Sequence, residues 1–191
     1  MEGDVKARMI IVAAPSGAGK SSFVERITSE MPILFDTVTF TTRAMRAGES
    51  EGQPYHFVSH DRFRQLVAEG FFVEWAEVHT NMYGTPLYQI EDAFRAGQAV
   101  IMDVDIQGAA TFKAKYSDAA SIFILPPSIE ELKRRVMKRD GGRTNNIEVR
   151  MENAIKEIAE APKFDHQLVN DDFEQSYRAF KKLVETLIAG D

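Results

Sequence analysis

Residues 9–30 restrict the fold more tightly than any other part of this chain. The segment opens with Met9, Ile10, Ile11, Val12 and Ala13, an unbroken apolar run. A run this short and continuous is the pattern of a central parallel strand with both faces covered. Ala14, Pro15, Ser16, Gly17, Ala18, Gly19, Lys20, Ser21 and Ser22 follow. From Lys20 to Glu30, Phe23, Val24 and Ile27 recur at helical spacing, and Pro32 marks the stop. Strand, glycine-rich loop and helix together open a βαβ unit and read as a phosphate-binding loop. Its successive N–H groups and the helix N-terminus favour an anion. Gly17 and Gly19 let the backbone approach that anion closely. Lys20 is placed to neutralise β and γ oxygens, and the Ser21 hydroxyl to sit on Mg²⁺. The generic pattern has glycine where Ala14 stands, but Gly17, Gly19, Lys20 and Ser21 are intact. The local alternative, a turn with a solvated lysine, gives no reason for the buried strand before it and the amphipathic helix after it.

The alternation continues downstream. Residues 99–104 and 121–125 read as further buried strands, and residues 167–169 as a short one. Ser128 and Glu131 have the spacing of a capping box for a helix running to Met137. A helix over residues 147–160 and a final amphipathic helix carrying Phe173, Tyr177, Phe180, Val184 and Leu187 complete the pattern. Such βα alternation predicts a parallel sheet with helices on both faces. Residues 37–89 differ. Stretches rich in Thr, Phe and Val surround a Gly/Pro/Glu-rich turn region (47–54), followed by a short helix capped at Asp61 and ended by Gly70, then a strand over 71–78. Thr85 followed by Pro86 suits a helix start, with Gly97 as its end. Residues 138–146 are polar and rich in Gly and Arg, which predicts a loop.

The bulk numbers fit one α/β domain with insertions. The chain has 191 residues, 44% of them apolar, enough for a sizeable core. A formal charge of −6 argues against a general nucleic-acid or anionic-membrane surface, while leaving room for a local basic pocket. There is no cysteine, so disulfides, thiolate metal sites and thiol nucleophiles are excluded. Residues 1–8 are short and charged, and the apolar run after them is too short for a signal-peptide core or a membrane span. A cytoplasmic protein is expected. His56, His60, His79 and His166 lack metal-ligand spacing.

Several motifs in collinear order, over about residues 9–188, resemble those of the guanylate kinase family. Thr41, Thr42, Arg43, Arg46, Gly48 and Glu49, then Tyr55, then Glu74, Trp75 and Ala76, then Tyr83, Gly84 and Thr85 are similar to its GMP-binding insertion. Asp103, Asp105, Gln107 and Gly108, the segment 123–128, and Val169 to Asp172 are similar to the rest of its core. The resemblance implies an α/β P-loop kinase core with a parallel sheet flanked by helices, a small α+β GMP-binding insertion and a short lid. Within one domain over 1–191, it places core at about 1–37, 90–137 and 153–191, insertion at 38–89 and lid at 138–152.

The implied roles divide by substrate. The loop residues 14–22, with Arg135, Arg139 and Asn170, are expected on the ATP side, and Arg150 with the transferring group. Thr39, Arg43, Arg46, Tyr55, Glu74, Tyr83, Thr85, Asp103 and Asp105 are expected on the GMP side. Guanidinium forks suit a phosphate dianion, and Glu74 would accept from the two N–H donors of guanine's pairing edge. Read alone, the arginines are also surface charge and the tyrosines packing. Thr85 is equally a helix cap, and Asp103 and Asp105 are equally solvated or capping acids. The implied reaction is direct in-line transfer from MgATP to GMP, with dGMP as a further candidate acceptor. Lys20, Arg43, Arg139, Arg150 and Asp103 carry it, Mg²⁺ sits on Ser21, and Asp103 reaches the ion through water. No nucleic-acid, membrane or protein partner is expected. Two rivals are a silent phosphopeptide-binding module, which would have a decayed phosphate loop, and a sugar-phosphate kinase, which would not need Thr39, Glu74 and Thr85 as a base reader.

Overall fold

A computed structural model describes residues 9–78, 80–139 and 146–190. His79, Arg143 and the rest of the polar loop's centre, and the N-terminal residues 1–8 lie outside the described residues.

The first apolar run forms β1 (Met9–Ala13), buried along its whole length. It sits at the centre of a five-stranded sheet in the order β10 (His166–Val169), β9 (Ala120–Leu125), β1, β8 (Ala99–Asp103), β2 (Leu34–Phe35). All four pairings are parallel. Alternate β1 residues explain why the run carries no polar side chain. Ile10 and Val12 face Phe23, Val24 and Ile27 of α1 (Lys20–Glu30) and Tyr177, Phe180 and Val184 of α7 (Phe173–Ala189). Met9, Ile11 and Ala13 face Ile90 and Ala93 of α3 (Leu87–Arg95) and Ala109 and Phe112 of α4 (Ile106–Lys115). Both faces are covered, so the period-2 alternation of a half-exposed strand is absent. Phe23 anchors the first face, with edge-on contacts to Phe173 at 5.0 Å and Phe180 at 5.1 Å.

A second sheet, in the order β4 (Ser50–Glu51), β5 (Pro54–Phe57), β3 (Phe40–Thr41), β7 (Asn81–Pro86), β6 (Phe72–Val78), carries α2 (His60–Ala68). It has its own small core of Phe63, Leu66, Phe72 and Met82. Gly84 permits the closest contact there: a Cβ at this position would lie 2.8 Å from the Phe72 ring. Phe72 can therefore lie over the strand and stack on Phe63 at 4.6 Å. A fourth cluster packs Leu132 and Val136 of α5 (Ile129–Arg139), and Met151 and Ala154 of α6 (Ile147–Ile158), onto Ala18.

Three helix starts correct the sequence reading. Ser59, not Asp61, caps α2, because its hydroxyl accepts from the Arg62 N–H while Asp61 lies inside the first turn. Pro86, not Thr85, occupies the cap position of α3, and the Thr85 hydroxyl is used elsewhere, donating to Glu74. At α5 the Ser128 hydroxyl accepts from the Glu131 N–H, but the Glu131 carboxylate turns to Arg134 and Arg135. Only half of the capping box forms, since two guanidinium partners outcompete one backbone N–H for a carboxylate.

Candidate active site

Because the core strands are parallel, their C-terminal ends share one edge, and the segments leaving β1, β2, β8 and β10 meet there. The turn after β1 needs Gly17 at φ 95° and Gly19 at φ 98°, the left-handed region in which a side chain is strained. The turn is also closely packed. A Cβ on Gly17 would fall 2.6 Å from Val136 Cγ2, and one on Gly19 would fall 2.8 Å from Asn170 Nδ2. Buried Asn170, just past β10, donates through Nδ2 to the Ala18 carbonyl at 2.7 Å. A residue 152 positions away thus helps hold the loop's shape.

The loop lines a cavity of about 600 Å³ together with Asp103, Asp105, Arg135, Arg139 and Glu157. The Lys20 ammonium donates to the Val104 carbonyl at 2.9 Å and lies 3.8 Å from Asp103 Oδ2. The Ser21 hydroxyl donates to the same Asp103 oxygen at 2.6 Å. Arg135 is held by the Asn170 carbonyl at 2.9 Å, the Asp171 carbonyl at 3.0 Å and Glu131 at 2.8 Å. Arg150, from α6, donates to the Ser16 hydroxyl at 3.2 Å.

A second cavity, of about 380 Å³, opens between the two sheets. Thr39, Tyr55, Glu74, Tyr83, Thr85, Asp103 and Asp105 line it with Lys20, Asp36 and Thr37. The β6–β7 pairing sets Glu74 directly opposite Thr85, after a register shift between Phe72 and Glu74. The Thr85 hydroxyl donates to Glu74 Oε1 at 2.9 Å, leaving Oε2 for another donor. Burial pushes the Glu74 carboxyl above its ordinary range, and the Thr85 bond partly opposes this. Tyr55 and Tyr83 meet edge to face at 5.9 Å, with the Arg43 guanidinium 5.3 Å from the Tyr55 ring centre.

Arg43 and Arg46 lie beside this cavity rather than in its wall. Glu49 bonds the Arg43 guanidinium at 2.8 Å and accepts the Arg46 N–H at 2.7 Å. One anion therefore already rests on this pair, and the Arg43 bond, then the Arg46 N–H, holds the Glu49 carboxyl below the usual range. Asp105 lines both cavities while capping α4 through the Gly108 N–H at 2.7 Å, so its capping and cavity roles coexist.

Two acidic lining residues escaped the sequence reading. Asp36, just past β2, is half-buried, and burial followed by the charge of Asp103 lifts its carboxyl to about 7. Glu157, on α6, reaches the phosphate-loop cavity. The one local signal for Asp36 was a carboxylate directly after a short apolar stretch. Glu157 looked like an ordinary charged position on an amphipathic helix.

Lys20, Asp103 and Asp105 belong to the walls of both cavities. The two cavities are therefore adjacent, the arrangement that direct phosphoryl transfer between two substrates requires. Fold and site thus define a P-loop phosphotransferase of the nucleotide kinase type. The guanylate kinase family profile matches residues 6–187. A guanylate kinase of Bdellovibrio bacteriovorus is 63% identical over 185 residues, covering 97% of this chain and 100% of that protein. One from Syntrophotalea carbinolica is 43% identical over 176 residues, covering 92% of this chain and 84% of that protein. The crystal structure of guanylate kinase from Anaplasma phagocytophilum superposes with a TM-score of 0.77 at 30% identity, covering 98% of this chain and 89% of that one. The chain belongs to the guanylate kinase family.

Proposed function

We propose that the chain transfers the γ-phosphate of MgATP to GMP, giving ADP and GDP, with dGMP as a further acceptor. The single observation carrying this reading is the wall of Lys20 and Asp103 shared by a phosphate-loop cavity and one holding Glu74 and Thr85. ATP's phosphates lie along residues 14–22, with Lys20 on the transferring end. Arg135, Arg139 and Arg150 add positive charge, and Asn170 lies toward adenine. Guanine enters between Thr39, Glu74 and Thr85, with Asp105 below it. Its phosphate rests against Tyr55, Tyr83, Arg43 and Arg46, displacing Glu49 from the guanidinium fork. We assign the insertion to residues 38–89 and the lid to 138–152.

The oxygens of Ser21 and Asp103, 2.6 Å apart, fit Mg²⁺, which takes few protein ligands and keeps water and substrate phosphates as the rest. Ser21 would hold the ion directly and Asp103 through water. When bound, Mg²⁺ supplies charge neutralisation at the phosphate oxygens. The acceptor is already an anionic oxygen, so the protein supplies alignment, charge and exclusion of water rather than a general base. Among the described residues no helix is long and apolar enough to cross a membrane.

Release of ADP from MgATP, measured with GMP, dGMP, AMP, UMP and CMP offered separately, tests the reading. Turnover is expected with GMP and dGMP, and little with the others. Equal turnover with AMP, or none with GMP by folded protein, would overturn it.

A further inference from the structure

The Arg43 guanidinium stands 5.3 Å from the Tyr55 ring centre and 5.6 Å from that of Phe57, yet it takes no part in the wall of the cavity that Tyr55 lines. The turn from Arg43 to Glu49 shows what holds it aside. Residues 44–48 are exposed, whereas Arg43 and Glu49 turn inward, with side chains only 12% and 17% exposed. Glu49 Oε1 accepts from Arg43 Nη2 at 2.8 Å, and Oε2 accepts from the Arg46 N–H at 2.7 Å. The Glu49 N–H returns to the Arg46 carbonyl at 3.1 Å, with Gly48 at φ 89° in the turn. Arg43 Nη1 donates to the Ala44 carbonyl at 2.9 Å. Both carboxylate oxygens are thus held by the donors an acceptor phosphate would seek, a guanidinium and a backbone N–H. A pair this shielded differs from the freely solvated surface pairs that contribute almost nothing. A ligand that recruits Arg43 must first part it from Glu49, and the new contact is offset by the one lost.

We infer that Glu49 determines affinity for the acceptor: its carboxylate stands in for the acceptor phosphate on Arg43 and keeps that guanidinium out of the cavity until a phosphate dianion displaces it. A carboxylate offers one charge on two oxygens. A phosphate monoester offers about −1.5 to −2 on three oxygens at pH 7, so it wins the exchange. A nucleoside without phosphate leaves Arg43 on Glu49. Arg43 therefore joins the tyrosine end of the cavity only when the acceptor is phosphorylated, and Glu49 sets how tightly that acceptor is held. The inference rests on the acceptor phosphate entering beside Tyr55 and Tyr83.

The test is titration calorimetry of GMP and, separately, of guanosine against wild type, Glu49→Gln, Arg43→Ala and the double variant. Glutamine keeps an oxygen for the Arg46 N–H but holds the guanidinium without charge. Glu49→Gln should therefore bind GMP about fivefold more tightly, the scale of a charge-assisted bond made neutral. Its guanosine affinity should stay within about twofold of wild type. In the Arg43→Ala background the same change should alter GMP affinity by less than about twofold, which separates release of Arg43 from a general loss of negative charge. Unchanged or weaker GMP binding by Glu49→Gln would overturn the inference. So would equal tightening toward guanosine, or equal tightening without Arg43. A measurement on wild type stands apart from any variant's folding: the Arg43 Nε–H resonance should move on addition of GMP and stay in place with guanosine, and equal movement with both would also overturn it. Wild-type protein that binds guanosine as tightly as GMP would instead overturn the reading of where the acceptor phosphate lies, and this inference with it.

Discussion

Burial raises the pKa of Glu74, and the Thr85 hydroxyl opposes the rise. The carboxylate therefore regains its proton at a higher pH than an exposed glutamate. Only the ionised form can accept from two donors on one base edge, so GMP binding should weaken as pH falls through that raised pKa. Glu74→Gln places an N–H against a guanine donor. Its KM for GMP should rise by one to two orders of magnitude, roughly the cost of an unpaired buried polar contact, while KM for MgATP holds. Initial rates against GMP between pH 5 and 8 check both points. Unchanged GMP selectivity in the variant would remove Glu74 from the base-reading role. Asp36 offers a stability test. Its native carboxyl keeps a proton up to about 7, against an ordinary value of 3.8 in the unfolded chain. The native state thus loses stability relative to the unfolded state as pH rises through that interval. Asp36→Asn should stabilise the protein by about 1–2 kcal/mol at pH 8, allowing for solvent screening of a half-buried group. The gain should be smaller at pH 5. Urea unfolding at the two pH values measures the difference, and equal gains would contradict the raised pKa.

At the level of elements, the phosphate loop shows how local pattern and distant packing divide the work. Its nine residues are contiguous, so the motif, the strand before it and the helix after it are legible without tertiary knowledge. Its rigidity comes from elsewhere: Val136 on α5 closes over Gly17, and Asn170 beyond β10 holds Ala18. Gly17→Ala combines an unfavourable positive φ with a contact of 2.6 Å to a fully buried valine. It should destabilise the fold by about 2–3 kcal/mol and depress turnover, as read by urea midpoint and kcat. A stable, fully active variant would show that the loop tolerates a different path. The long helices were legible because each carries a continuous apolar stripe over ten or more residues. The two-residue strands β2, β3 and β4 were not, since segments that short carry no period and become strands only through their partners. Cap residues failed for a related reason. Ser59, Asp61, Thr85 and Glu131 all suit a cap chemically, and the competing partners in space decide which of them serves.

Across the whole molecule, a chain of formal charge −6 concentrates cations where two nucleotides would meet. Lys20, Arg135 and Arg139 line the phosphate-loop cavity, Arg150 reaches its rim at Ser16, and Arg43 stands beside the neighbouring cavity. The cations gathered at the cavities act at short range, where screening by salt is weak. Contiguous residues were enough to determine the class of fold and the phosphate loop, because strand, turn and helix preferences act between neighbours in the chain. Collinear motifs were enough to indicate the family. Only the tertiary structure decided that Glu74 stands opposite Thr85 and that Asp36 and Asp103 share a wall. It alone brought Glu157, on a distant helix, to the phosphate-loop cavity. Those relations depend on strand register and on which helix face meets the sheet. Both are settled by packing among residues far apart in sequence, which no local pattern records.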